Sequence, residues 1–296
     1  MTQGTNHNRR TVAGGRFVEI PEPFFVDPDY KAALDDLGLT SIDAVFSFHA
    51  AENLAKKDLA PFRSRLQFEI DSPPTTLFLK RYDQPPVFAQ LRNWLSQHAR
   101  LSCSVAEFNS ANQIAAAGIN VPKTVSYGEQ WGIFFEKRSF IITQKIPDAQ
   151  SLERKLPDCF AGPANAENLK RRRNFVAQLA AFIRKFHQTN YRHRDLYFSH
   201  VFCSESGQFY LIDLARAFKP IVWRERFRVK DIAQLYYSAP GRYFSRTDRL
   251  HFYLKYADRD RLAAKDKSFI RKVLTRAERM ARHNKRHGKD VPFALR

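Results

Sequence analysis

An α+β chain of two lobes is predicted from three observations. Alternating, β-branched and aromatic segments fall before Pro147, helical periodicity dominates after it, and Pro147 marks the change. The 296 residues are 44% hydrophobic and 14% aromatic, ample for a packed core in one large domain or two lobes. So many Phe and Tyr exclude disorder as a description of the whole chain. Residues 1–40 read as a polar, then Pro-rich extension or loose cap ("EIPEPFFVDPDY"), 41–147 as the first lobe and 148–296 as the second.

The elements follow in order. "RLQFEI" (65–70) and "TTLFLKRY" (75–82) alternate around "DSPP", a hairpin pattern with Lys80 near the end of its second strand. "VFAQLRNWL" puts Val87, Phe88, Leu91, Trp94 and Leu95 at helical spacing, and "SVAEFNSANQIAAAG" is a second helix stopped by Gly118. "KTVSYGEQWGIFFEKRSFIITQKI" returns to strand. In "NFVAQLAAFIRKFH", Phe175, Leu179, Phe182, Ile183 and Phe186 share one helical face. "VFCSESGQFYLI" reads as two short strands around a Ser/Gly turn, and the remainder is helical and basic.

A net charge of +19 attracts nucleic acid, anionic lipid or phosphorylated substrates without choosing among them. Cys103, Cys159 and Cys203 form neither a CxxC pair nor a disulfide framework, so a reducing cytosol is expected. Arg9-Arg10 is followed by no apolar export region, and no apolar run approaches the roughly 20 residues that span a bilayer. The expectation is a cytoplasmic protein, with peripheral contact with a membrane left open.

Two carboxylates carry the chemical argument. Asp195 and Asp213 flank the short hairpin, which folds back and brings both to one end. An acid closing an apolar strand is costly unless a charge pairs with it. Two acids beside a basic surface suit Mg²⁺ and a nucleotide phosphate. The plainer alternative pairs Asp195 with Arg192 or Arg194 and makes Asp213 a cap.

"HRDLYFSHVF" followed by "LIDLAR" resembles the catalytic and metal-binding loops of the protein-kinase-like fold. With "RSFIIT" and "WRERFRVKDIAQLYYS", the chain from about residue 62 to 262 is more closely similar to the bacterial lipopolysaccharide kinase (Kdo/WaaP) family. The resemblance implies a bilobal kinase fold, with a sheet lobe carrying one helix and a helical second lobe. It implies transfer of phosphate from ATP, with Mg²⁺, to a heptose or Kdo hydroxyl of the lipopolysaccharide inner core.

Position by position, the resemblance implies that Asp195 receives the acceptor hydroxyl's proton and Asp213 holds Mg²⁺. Lys80 would grip the α- and β-phosphates and Glu107 would pair with it. Gln144 and Ile146, at the joint between lobes, would bind nucleotide, and Asp231 would anchor the catalytic loop, with His193 and Arg194 bracing it. Read without the family, "SVAE" is equally a capping box that would turn Glu107 back to its own helix, and Lys80 an edge-strand lysine. Tyr197 replaces the usual kinase lysine, and His200 stands in place of the asparagine that binds a second metal. Imidazole is a poorer Mg²⁺ ligand than oxygen, so one tight ion or a weak second site is expected.

No glycine lies between Gly38 and Gly118, so Lys56, Lys57 or Arg63 would replace the amides of a Gly-rich loop. Lys219, Arg224, Arg226, Arg228 and Lys230 offer charge for an acidic glycolipid. The last helix, with Phe269, Ile270, Val273, Leu274, Ala277, Met280 and Ala281 on one face, would dock on the second lobe or lie on anionic membrane. The family's habit adds an acidic acyl carrier protein as partner; nucleic acid is not expected. Two rival readings remain: a Ser/Thr/Tyr protein kinase, disfavoured by the short stretch from Asp213 to Asp231, and an inactive kinase-like binding protein.

Overall fold

The computed structural model describes residues 18–20, 24–49, 52–53, 60–160, 165–288 and 291–293. Lys56 and Lys57 lie outside these residues. Between residues 18 and 40 the described residues belong to the first lobe rather than to a loose cap. β1 (Val18–Ile20) pairs with β2 (Phe24–Val26), and β2 joins the main sheet. Phe24 and Val26 alternate with Phe25 and are buried together with Tyr30, Leu34 and Leu39. β2 lies between β1 and β6, and its alternation supplies core residues. α1 (Lys31–Asp36) follows, then α2 (Ile42–Ser47), capped by Ser41, whose Oγ accepts from the Ala44 N–H at 3.1 Å, and β3 (Glu52–Asn53).

β4 (Arg63–Asp71) and β5 (Pro74–Asp83) form the expected hairpin, with Arg65 directly opposite Lys80. Leu66, Phe68 and Ile70 on β4 and Leu77 and Leu79 on β5 are buried in one core, as strand alternation requires. α3 (Val87–Gln97) has the predicted helical spacing, but Val87, Phe88, Leu91 and Leu95 are exposed, and Gln90 is its buried residue. α4 (Cys103–Ala116) starts at Ser102, whose Oγ accepts from the Val105 N–H at 3.3 Å, and ends before Gly118, at φ +76°. β6 (Thr124–Trp131) and β7 (Glu136–Gln144) complete an antiparallel sheet ordered β1-β2-β6-β7-β5-β4-β3.

Past this sheet the chain turns helical. β8 (Ala149–Ser151), α5 (Leu152–Phe160) and α6 (Ala166–Gln188) lead to β9 (Val201–Ser204) and β10 (Phe209–Leu211), which make a small sheet with β8. α7 (Arg224–Ser238), α8 (Arg246–Ala257) and α9 (Ala264–Arg286) follow. Leu179, Ile183 and Phe186 of α6 enter a second core with Leu196, Leu211, Ile232 and Val273. Phe269, Val273 and Ala277 of α9 are buried, with Ile270 and Met280 packed beside them. The terminal stripe therefore docks on the helical lobe rather than facing a membrane. Among the described residues no helix is long and apolar enough to cross one.

Candidate active site

Arg65 and Lys80 face each other across adjacent strands, so both side chains leave the same side of the sheet. Lys80 Nζ lies 2.5 Å from Glu107 Oε1 on α4, and Tyr82 Oη donates to Glu107 Oε2 at 2.9 Å. The capping alternative for Glu107 is thereby removed. Ser102 caps the helix, and the Ser104 hydroxyl instead donates to the Gly128 carbonyl at 3.1 Å. A helix capped two residues earlier, at Ser102 rather than Ser104, left Glu107 free to face the sheet.

Asp213 closes the cluster from the other lobe. Its Oδ1 is 3.3 Å from Lys80 Nζ, and its Oδ2 accepts from Arg65 Nη2 at 2.9 Å. Burial disfavours its charge, but Lys80 first and Arg65 next outweigh that and hold its pKa well below the usual carboxylate range. The same logic acts on Lys80: burial opposes its charge, and Asp213 and Glu107 overcome this and raise its pKa. Asp213 has φ 59° and ψ 59°, a left-handed conformation that turns the chain sharply after β10 and aims the carboxylate back at the sheet.

The segment that carries Asp195 hangs on Asp231, a fully buried acid of α7. Its Oδ2 accepts from the His193 N–H and its Oδ1 from the Arg194 N–H, each at 2.8 Å, and His187 Nε2 is 3.3 Å from Oδ2. Burial pushes the Asp231 pKa up, yet the His187 contact, the His193 charge interaction and the backbone donor reverse this and leave it lowered. These bonds hold Arg194 at φ 71°, which swings Asp195 outward.

Two cations meet the Asp195 carboxylate. Arg216 Nη1 is 2.9 and 2.8 Å from its two oxygens, and Lys230 Nζ lies 3.9 Å away while donating to the Arg194 carbonyl. The simple pairing with Arg192 or Arg194 is not found. Arg192 donates to the His187 and Tyr191 carbonyls, and Arg194 lies over the Phe218 ring. His200 Nδ1 is 2.7 Å from the Asp195 carbonyl, which can only accept, so that nitrogen carries the proton. His200 Nε2 lies 3.9 Å from Asp213 Oδ2.

The remaining predicted residues lie apart from this cluster. Gln144 ends β7 and donates from Nε2 to Thr75 Oγ1 at 3.3 Å, and Ile146 is buried just beyond. Arg63 stacks on Tyr82, so Arg65 is the strand cation that reaches the carboxylates. Of the basic segment, Lys219 bonds Gln113, Arg226 lies over Trp223 and Arg228 over Phe269; Lys230 is the member that reaches Asp195. Arg65 and Arg216 escaped the sequence reading. Their signals were the cross-strand register with Lys80 and the place three residues after Asp213.

No three His, Cys, Asp or Glu side chains converge as a ready metal cage among the described residues. Mg²⁺ does not need one, since one or two carboxylates suffice when phosphate oxygens and water complete its octahedron. Asp213, its pKa held low, with His200 Nε2 beside it, fits that requirement.

The sequence pattern that defines the lipopolysaccharide kinase (Kdo/WaaP) family matches residues 87–256. A protein of Escherichia coli K12 named lipopolysaccharide core heptose(I) kinase WaaP is 24% identical over 235 residues, covering 76% of this chain and 87% of its own length. The Pseudomonas aeruginosa PAO1 protein of the same name is 27% identical over 191 residues, covering 62% and 70%. A solved structure described as WaaP in complex with acyl carrier protein superposes with a TM-score of 0.64 at 21% identity, over 88% of this chain and 98% of that one. That likeness shows the bilobal kinase-like fold. Since the matched pattern spans more than half of the chain, including Asp195 and Asp213, the chain belongs to the lipopolysaccharide kinase (Kdo/WaaP) family of phosphotransferases.

Proposed function

We propose that this protein transfers the γ-phosphate of ATP to a sugar hydroxyl of the lipopolysaccharide inner core, a heptose as in the names of its relatives. The observation that carries the reading is the convergence of Lys80, Glu107, Arg65 and Asp213 from both lobes beside the Asp195 loop. Lys80, steadied by Glu107, binds the α- and β-phosphates, and Arg65 adds charge that a Gly-rich loop would otherwise supply through amides. Asp195, oriented by Arg216, accepts the proton of the attacking hydroxyl. Lys230 takes the part of the cation absent at Tyr197 and stabilises charge on the phosphoryl group in transfer. Asp213, with His200 Nε2, would hold Mg²⁺, which neutralises the phosphates when bound.

An acidic acyl carrier protein is a fitting partner for a chain of net charge +19. An apolar cavity of about 450 Å³, lined by Leu179, Ile232, Leu235, Tyr253 and Val273, has room for a fatty acyl chain.

The test uses purified core glycolipid, radiolabelled ATP and Mg²⁺. Asp195→Ala and Asp213→Ala should each cut transfer by about a thousandfold or more while retaining wild-type circular dichroism. Wild-type rates from folded Asp195→Ala protein would exclude the assigned role. Preferential labelling of Ser/Thr/Tyr peptides would favour the protein-kinase alternative.

A further inference from the structure

We propose that the outer face of α3, together with the tip of the β6–β7 hairpin, is the surface on which this protein rests against an anionic lipid bilayer. Phe88 and Leu95 are 76% and 77% exposed, and Ile133 and Phe134 at the tip are 87% and 70% exposed. Single exposed apolar residues are ordinary; a cluster on two adjoining elements is not.

The two elements form one rigid surface. Trp94 stacks on Phe135 at 5.7 Å, and Arg100 donates to the Phe134 carbonyl at 2.8 Å while lying over Trp131. Gln90 accepts from the Glu136 N–H at 2.8 Å and donates to the Glu136 carbonyl at 3.2 Å. The polar and aromatic inner face of α3 is thus committed to the hairpin, which leaves its aliphatic face pointing away.

Charge selects the occupant. From Gln84 to Ala106 the sequence contains no Asp or Glu, while Arg92, Arg100 and, beyond the tip, Lys137 are exposed. Apolar side chains ringed by cations suit an interface of acyl chains beneath anionic headgroups. A second copy of a chain with net charge +19 would meet the same cations and be repelled. The stripe of α9, the other amphipathic face, is already buried in the helical lobe.

The surface also adjoins the acceptor side of the cleft. Gln97 Nε2 donates to the Ala217 carbonyl at 2.8 Å, and Arg92, Asn93 and Ser96 line a small cavity with Arg194 and Arg216. Resting α3, roughly 16 Å long, on the bilayer would hold the Asp195 loop at headgroup level, where a lipid-anchored sugar presents its hydroxyls. This functional sense rests on the glycolipid-kinase reading above.

Flotation of the full chain with phosphatidylcholine vesicles, with or without phosphatidylglycerol, tests the surface, alongside phosphorylation of vesicle-embedded glycolipid and of deacylated, water-soluble core oligosaccharide. The wild type should float with the anionic vesicles. Phe88→Ser with Leu95→Ser, and separately Ile133→Ser with Phe134→Ser, should weaken that binding by about tenfold or more. Phosphorylation of embedded glycolipid should fall in step, with the soluble oligosaccharide unaffected. Wild-type protein that stays off anionic vesicles, folded variants that bind as the wild type does, or an equal loss on the soluble acceptor would each overturn the proposal. Lost vesicle binding with no phosphate transfer by any form would uphold the surface and defeat the kinase reading.

Discussion

Lys230 is a cation of the candidate site whose charge depends on pH in the mildly alkaline range. Burial pushes its pKa down to about 8, against the pull of Asp195 and with the push of Arg216. The ammonium is present below that value and lost above it, so kcat/KM should fall as pH rises through about 8. Lys230→Arg should carry this limb to higher pH, and a limb that stays put would assign it to another group. Stability runs the other way. Between the folded value near 8 and the ordinary lysine value of 10.5 the unfolded chain binds the extra proton, so stability rises with pH across that window. The Lys230 position was visible in the sequence only as one of several neighbouring cations. Which of them reached Asp195 depended on the α7 helix carrying it past the loop, while Arg226 and Arg228 turned to aromatic rings.

At the scale of elements, α7 fastens the Asp195 loop through one carboxylate. Asp231 is read from "VKDIAQ" as an anchor, and its three donors give that reading a geometry. Asp231→Ala should lower stability by about 3 kcal/mol in urea unfolding, because two backbone N–H groups and His187 lose their acceptor in the interior. Its pKa is lowered on folding, so its contribution is present above the ordinary aspartate value of 3.8 and lost as pH falls through the lower folded value. Unchanged stability in Asp231→Ala would mean that packing alone shapes the loop. α4 teaches a different lesson. The residues "SVAE" satisfy the capping-box pattern, yet Ser102 takes the cap, and tertiary pairing with Lys80 and Tyr82 claims Glu107.

The whole molecule joins a seven-stranded antiparallel sheet, as described, to a helical lobe through charges that meet in the cleft. A surplus of 19 positive charges makes attraction to an anionic glycolipid long-ranged and salt-sensitive. Raising salt from about 0.05 to about 0.5 M should therefore raise KM for the glycolipid with little change in kcat, since the paired groups of the cleft are screened less than the surface. A salt-independent KM would show that surface charge plays no part in capture.

Periodicity and chemistry determined much by themselves. Alternation specified the β4–β5 hairpin, 3.6-residue spacing specified α6 and α9, and the cost of an unpaired acid after an apolar strand flagged Asp213. Register and packing decided the rest, because a linear pattern carries no information about which distant group fills a given space. Only the folded sheet set Arg65 opposite Lys80, drew residues 24–39 into the core, and turned the apolar side of α3 to solvent once its polar side had bonded the hairpin.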